Sequence, residues 1–387
     1  MTVPLNPKPN PIATGGLRGG RDRDLHILVE TIEQRVRQYL LARTDNEEQT
    51  DHLRHVADRT RWLYYSELLR ASPGANVRIS EHEDALIQAC VLSHDIGKWI
   101  PRDELRALAP PDLQARDPTF AELKFTAHQS GLFLLALRRR FGLPQDGYTP
   151  EYDSAHHLVS AFMLVRDEQF GFHKLAQADQ DRLIMMIVGH QFGGYFKESL
   201  LNLSLSDGSE VTTGMLMDVS RPDRLQGDLL ACAFHDADIS DLLFVGSLER
   251  RPNREDIFHA GGLIKILLIN FTNCIYQVPR ARANLDGCLR SCQATVHSAS
   301  REFITQTALE HGQEWRRDGR RFLDMLREKQ VYDMINDALL DASVPPGQRL
   351  TTVRSLTRLQ ARSFLARVED AGELTPSLPG SLDEVDE

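Results

Sequence analysis

The strongest constraint in this sequence is the interval at which its apolar residues return. In DLHILVETIEQRVRQYLLAR they fall at Leu25, Ile27, Leu28, Ile32, Val36, Tyr39 and Leu40, close to the 3.6-residue turn of an amphipathic α-helix. The segments around 52–71, 83–100, 121–141, 154–166, 180–191, 226–244, 260–277, 283–310 and 314–341 repeat the pattern. Helix breakers separate them at Ser72-Pro73-Gly74, Pro110-Pro111, Gly142-Leu143-Pro144 and Pro252-Asn253. Strand-type alternation is confined to Leu201–Val211, where Asp207-Gly208 would turn a small hairpin. No internal repeat is present. The expected fold class is all-α.

A chain of 387 residues has room for one large domain or two modest ones. Residues 1–22 are rich in Pro and Gly, and 370–387 are acidic with two prolines, so both read as disordered tails. Between them lie a helical domain over 23–250 and a helical C-terminal region over 251–369. Within the latter, GGLIKILLINFTNCIY (261–276) is apolar almost all round and should be buried or at an interface. It is short for a membrane span and is interrupted by Lys265 and Asn270. This region is read as completing the core, covering a site, or making a homo-oligomer contact. No run of 18 apolar residues and no apolar leader occur, so no membrane partner and no secretion are expected. Five sparse cysteines fit a reduced, cytoplasmic protein better than a disulfide framework. The net charge of −10 disfavours a nucleic-acid-coated surface. Local basic clusters remain at Arg138–Arg140, Arg250-Arg251, Arg316-Arg317 and Arg320-Arg321.

Chemistry concentrates in histidines and aspartates set beside apolar helical stretches: His52, His94-Asp95, His128, His156-His157, His190 and Asp238. One helix face presents few ligands, so donors spaced along successive helices are what an assembled metal centre needs. Imidazole and carboxylate together suit Mn, Fe, Co, Ni, Zn or Mg. Two such ions can activate a water and stabilise the leaving oxygen of a phosphoester.

The segment VLSHDIGKWIP (91–101) resembles the signature of the HD superfamily of metal-dependent phosphohydrolases. HLRHVADRTRWL (52–63) resembles the family's first motif and selects His52 over His55. LLACAFHDADISDLL (229–243) resembles its final motif, with Asp238 the best match and Asp236 the second. Between them, LKFTAHQSG (123–131) resembles the third motif of the HD-GYP subgroup. HHLVSAFML (156–164) and LIMMIVGHQFGGYF (183–196) resemble further histidine motifs, Gln191 standing where a second His is frequent. The extended GYP sequence is not present. HHLVSA, IVGHQ and FHDADISD are as similar to the HD nuclease domains of CRISPR-associated proteins. The resemblance implies an HD-type helical bundle, with extra C-terminal helices, that holds one or two divalent metal ions on His52, His94, Asp95, His128, His156, His190 and Asp238. It implies that Asp95 bridges two ions and that Lys98 contacts a substrate phosphate. The implied activity is hydrolysis of a phosphoester, such as that of a nucleotide or cyclic nucleotide. The alternatives are a nuclease acting on single-stranded nucleic acid, and a non-catalytic sensor or interaction module. His55, His173 and His235 read as satisfied polar residues, His157 as a supporting or core residue, and Gly97 as a close-packing position.

Overall fold

The computed structural model describes residues 18–43, 45–99, 156–190, 202–204, 210–212, 227–251, 254–278, 282–299 and 301–370. These residues are predominantly helical, so the chain is all-α as its periodicity predicts. The first helix, α1 (Arg18–Leu41), begins inside the stretch expected to be a tail. The amphipathic run behind it carries Gly19 and Gly20 into the helix against a propensity cost of about 1 kcal/mol each. The remainder of both expected tails lies outside the described residues.

The helices α2 (Asn46–Ala71), α3 (Glu81–Ser93) and the single turn α4 (Ile96–Trp99) come next. A capping box starts α3: the Ser80 side chain accepts from Glu83 N, and the Glu83 carboxylate accepts from Ser80 N. After the undescribed segment that contains 121–141 come α5 (His156–Arg166) and α6 (Gln177–Gly189). The strands β1 (Asn202–Ser204) and β2 (Glu210–Thr212) then pair antiparallel, Leu203 opposite Val211. That hairpin is the one the alternation predicts, although its turn lies outside the described residues.

Next are α7 (Leu229–Asp241) and a second antiparallel hairpin, β3 (Gly246–Glu249) with β4 (Ile257–Ala260). This hairpin is not foreseen in the sequence. The chain closes with α8 (Gly262–Ile275), α9 (Leu285–Ala299), α10 (Gln306–Met325), α11 (Lys329–Leu340) and α12 (Pro346–Asp370). The expected segments 283–310 and 314–341 are therefore three helices with other boundaries. The break before α10 is imposed from a distance. The buried Asp236 carboxylate on α7 accepts from Ile304 N, Thr305 N and the Thr305 hydroxyl, while the Thr305 side chain accepts from Ala308 N.

The core forms where α2 packs along α7, with α3 against α2 and α6 against both α7 and α3. Val56 and Leu63, Leu86 and Ile87, Met186, and Phe234 and Ala237 are all fully buried there. The apolar run of α8 is buried rather than exposed: Leu263, Ile264, Leu267 and Phe271 are inaccessible, and the helix packs on α2, α9 and α12. The long α12 is tied back across the fold. Its Arg358 and Arg354 reach the buried Glu48 of α2 at 3.1 and 3.5 Å, and Arg362 donates to Asp256 O. Among the described residues no helix is long and apolar enough to cross a membrane, and all five cysteines are buried free thiols.

The start of α8 is a close approach. A Cβ at Gly262 would stand 2.6 Å from Asp241 Oδ2 and 2.7 Å from Asp241 O. Replacing Gly262 by Ala is expected to destabilise the protein by about 1–3 kcal/mol through overpacking. A urea titration reads this directly, and an unchanged midpoint would mean that α8 can retreat without loss.

Candidate metal centre

The His94-Asp95 pair sits at a helix break and not within a continuous helix, as the periodicity over 83–100 had suggested. His94 is the C-cap of α3, its N–H donating to Cys90 O at 2.9 Å. The helix resumes at Ile96. Ser160 of α5 accounts for the break: its hydroxyl donates to His94 O at 2.6 Å and accepts from Gly97 N at 2.9 Å. It thereby takes two peptide groups that a continuous helix would pair internally. Lys98 N closes onto Asp95 O at 2.8 Å, a three-residue turn. In consequence Lys98 faces Asp95, Nζ to Oδ1 2.7 Å.

Five elements then converge. His52 Nε2 (α2), His94 Nε2 (after α3) and Asp238 Oδ1 (α7) form a near-equilateral triangle with sides of 3.4, 3.4 and 3.5 Å. Asp95 adds Oδ2 at 3.6 Å from His52 Nε2 and Oδ1 at 3.7 Å from His94 Nε2. Four donors about 2.1 Å from one ion, tetrahedrally placed, stand about 3.4 Å apart. A second group lies beside the first: His156 Nε2 (α5) is 3.1 Å from His190 Nε2 (after α6) and 3.1 Å from Asp95 Oδ1. Asp95 thus stands between the two groups. His128 lies outside the described residues.

The tautomers follow from the partners. His94 Nδ1–H donates to Val91 O at 2.7 Å, and His190 Nδ1–H donates to Ile187 O. A carbonyl only accepts, so in the neutral rings Nε2 carries the lone pair. His52 Nδ1–H donates to Asp241 Oδ2 at 2.7 Å, which leaves its Nε2 in the same state. Neutral imidazole nitrogens facing one another across 3.4 Å repel unless a cation lies between them. Protonation states agree with this. Burial lowers the affinity of His190 for a proton, neighbouring His94 and His156 add to that, and the nearby carboxylates do not compensate. Burial also lowers His52, with Lys265 adding and Asp241 opposing. Burial alone would raise the Asp95 carboxyl, but Lys98, His94, Lys265 and His156 hold it well below the usual range. At Asp238 burial is likewise outweighed, by His94, His190 and His52. Neutral imidazoles and ionised carboxylates are the forms a divalent ion binds, so the residues present fit such an ion.

Asp241 is not apparent from sequence. It is fully buried on α7 and holds the ring of His52 in place, the arrangement that fixes tautomer and orientation in metal-ligating histidines. It is steadied by Arg59 at 4.0 Å and His55 at 3.7 Å. The guanidinium of Arg59 lies over the Phe244 ring and donates to Ser240 Oγ. The only signal in the sequence is that Asp241 follows Asp238 by three residues, on one helix face. Lys265 was also missed: it lies in α8 with Nζ 3.4 Å from Asp95 Oδ2.

The second-choice Asp236 points away from the centre and pairs with His235 Nδ1 at 2.9 Å. His55 packs edge-on against Phe244, His157 is buried beside His156, and His173 is exposed on a short turn. Of the basic clusters, Arg138–Arg140 lie outside the described residues. Arg250 pairs with Asp256 and Glu369, Arg251 with Glu249, and Arg317 and Arg321 with Asp318.

Fold and site together define an all-α protein with a buried histidine–aspartate cluster suited to a metal ion. Comparison with family profiles, curated proteins and solved structures finds no match to this chain.

Proposed function

We propose that this chain is a metal-dependent phosphohydrolase that adds water across a phosphoester, in the class of nucleotides or cyclic nucleotides. The observation that carries the reading is the convergence of histidine Nε2 atoms and aspartate carboxylates from α2, the α3–α4 break, α5, α6 and α7, with an ammonium group beside them. The phosphoester itself comes from the likeness of residues 91–101, 52–63 and 229–243 to the HD signature. His52, His94, Asp95 and Asp238 would hold one ion, and Asp95, His156 and His190 a second. A divalent ion in such a site supplies a water acidic enough to ionise near neutral pH and polarises a phosphoryl oxygen.

The chain's own groups do the rest. Asp241, Val91 O and Ile187 O keep the protons of His52, His94 and His190 on Nδ1 and so keep each Nε2 facing inward. Ser160 holds the break that places His94 and Asp95 side by side. The side chains of Lys98 and Asp238 are 26% and 17% exposed where their neighbours are closed off, and they mark the side from which solvent reaches the cluster. Lys98 there presents a cation to phosphoryl oxygens as their charge grows. A small phosphoester is favoured over nucleic acid because Arg250, Arg251, Arg317 and Arg321 are engaged by carboxylates of this chain.

The test is turnover of bis(p-nitrophenyl) phosphate by protein stripped of metal and reloaded with Mn, Ni, Co or Mg. Metal-dependent release of nitrophenol is expected. A folded protein that binds none of these ions would overturn the proposal.

A further inference from the structure

Lys265 is the single charged side chain in the apolar helix α8, and it is buried. Placing an ammonium there opposes the hydrophobic effect and needs a reason. A structural partner for Asp95 is not a sufficient one. Lys98 already meets Asp95 Oδ1 at 2.7 Å, whereas Lys265 stays 3.4 Å from Oδ2, beyond the 2.7–2.9 Å of a closed charge-assisted bond. The charges around the centre lead to another reason. The three carboxylates of Asp95, Asp238 and Asp241 are matched by three cations, Lys98, Lys265 and Arg59. The cluster is balanced before any ion enters it. One divalent ion leaves it two positive charges in excess, and a second ion doubles that. In a weakly polarisable interior such an excess calls for an anion.

We propose that Lys265 is a second anion-binding cation of the centre, which joins Lys98 in seating the phosphoryl group once metal is bound. The inference rests on the phosphohydrolase reading for the identity of the anion. It makes phosphate affinity depend on α8, a helix beyond the segment that carries the metal-ligand candidates. It also orders the binding events, metal first and phosphate second.

The experiment is a pair of calorimetric titrations on the full chain, Mn into metal-free protein and inorganic phosphate into Mn-loaded protein. Both are run for wild type, Lys265→Met, Lys265→Gln and Lys265→Arg, with thermal melts to verify folding. Loss of one charged contact to phosphate should weaken phosphate binding by about 10- to 100-fold in the Met and Gln variants. Mn affinity should be kept or increased, because a repelling charge has gone, and Arg should restore most of the phosphate affinity. Phosphate binding equal to wild type in a folded Met or Gln variant overturns the proposal. So does parallel loss of Mn and phosphate, which marks Lys265 as structural, and so does a wild type that takes no phosphate. Lys265-dependent phosphate binding without turnover of any phosphoester would sink the hydrolase reading and leave the anion site standing. Turnover with phosphate affinity indifferent to Lys265 would do the reverse.

Discussion

Replacing Asp95 by Asn is expected to remove metal-dependent phosphodiester turnover by at least about a thousandfold, since metal-ion charge stabilisation contributes several kcal/mol to such reactions. The carboxylate stands between both donor groups, 3.6 Å from His52 Nε2 and 3.1 Å from His156 Nε2. Neutralising it therefore weakens both at once. The same change should destabilise the metal-free protein. Lys98 and Lys265 both lean on Asp95, and removing one partner of a buried pair costs about 3–5 kcal/mol. Asp236→Asn is the matched control on the same helix as Asp238. It should lower stability, because Asp236 holds Thr305, the residue that caps α10, while leaving metal affinity intact. Undiminished turnover in Asp95→Asn would remove the centre from the mechanism.

The metal-free protein is expected to lose stability steeply as the pH falls below about 6.5. Burial pushes the imidazole of His55 down to about 3, with Asp241 opposing and Arg59 adding. As pH drops through 6.5 the unfolded chain takes up a proton that the folded chain refuses. Stability is thus complete above 6.5 and declines by about 1.4 kcal/mol per pH unit for such a group, down to the folded value near 3. His52, His157 and His190 are shifted in the same direction, also with burial as the first cause. Together they amount to several kcal/mol by pH 5, against a total stability of about 5–15 kcal/mol for a typical protein. The lowered carboxyls of Asp95, Asp238 and Asp241 contribute fully above their ordinary range and lose that contribution only at more acid pH. Urea midpoints at pH 7.5 and 5.5 measure the effect. Added Mn should raise the midpoint at pH 7.5 more than at 5.5, because protons compete for the ligands. Equal midpoints in the metal-free protein would mean that the folded chain already carries these protons.

What the sequence discloses and what it hides divide along the range of the forces involved. Helices over 46–71, 156–166, 177–189, 229–241 and 262–275 follow from apolar periodicity, because each buries a stripe of its own side chains. The breaks at 94–95 and before Gln306 do not, because Ser160 and Asp236 impose them across the fold. The same holds at the centre. His94, Asp95, His156, His190 and Asp238 stand out as polar residues in or beside apolar stretches, His52 is selected by the motif likeness of residues 52–63, and the structure brings them together. Asp241 is hidden within an acidic run, Ser160 looks like any small residue of a helix, and Lys265 reads as a flaw in an apolar segment. Their meaning lies in whom they meet, 189, 66 and 170 residues away.

The convergence of α2, α7 and α8 has a further consequence for how the protein is made. His52 emerges from the ribosome long before Asp238, Asp241 and Lys265. At roughly 5–20 residues per second the interval is on the order of 10–40 s. Through that time its ring has neither the carboxylate that orients it nor the aspartate that completes the triangle. An ion captured early would meet a partial, flexible donor set and exchange freely. Under the proposed metal centre, selection among competing cellular ions would thereby be deferred until α7 docks on α2, and that docking step would be the moment at which an ion is first held.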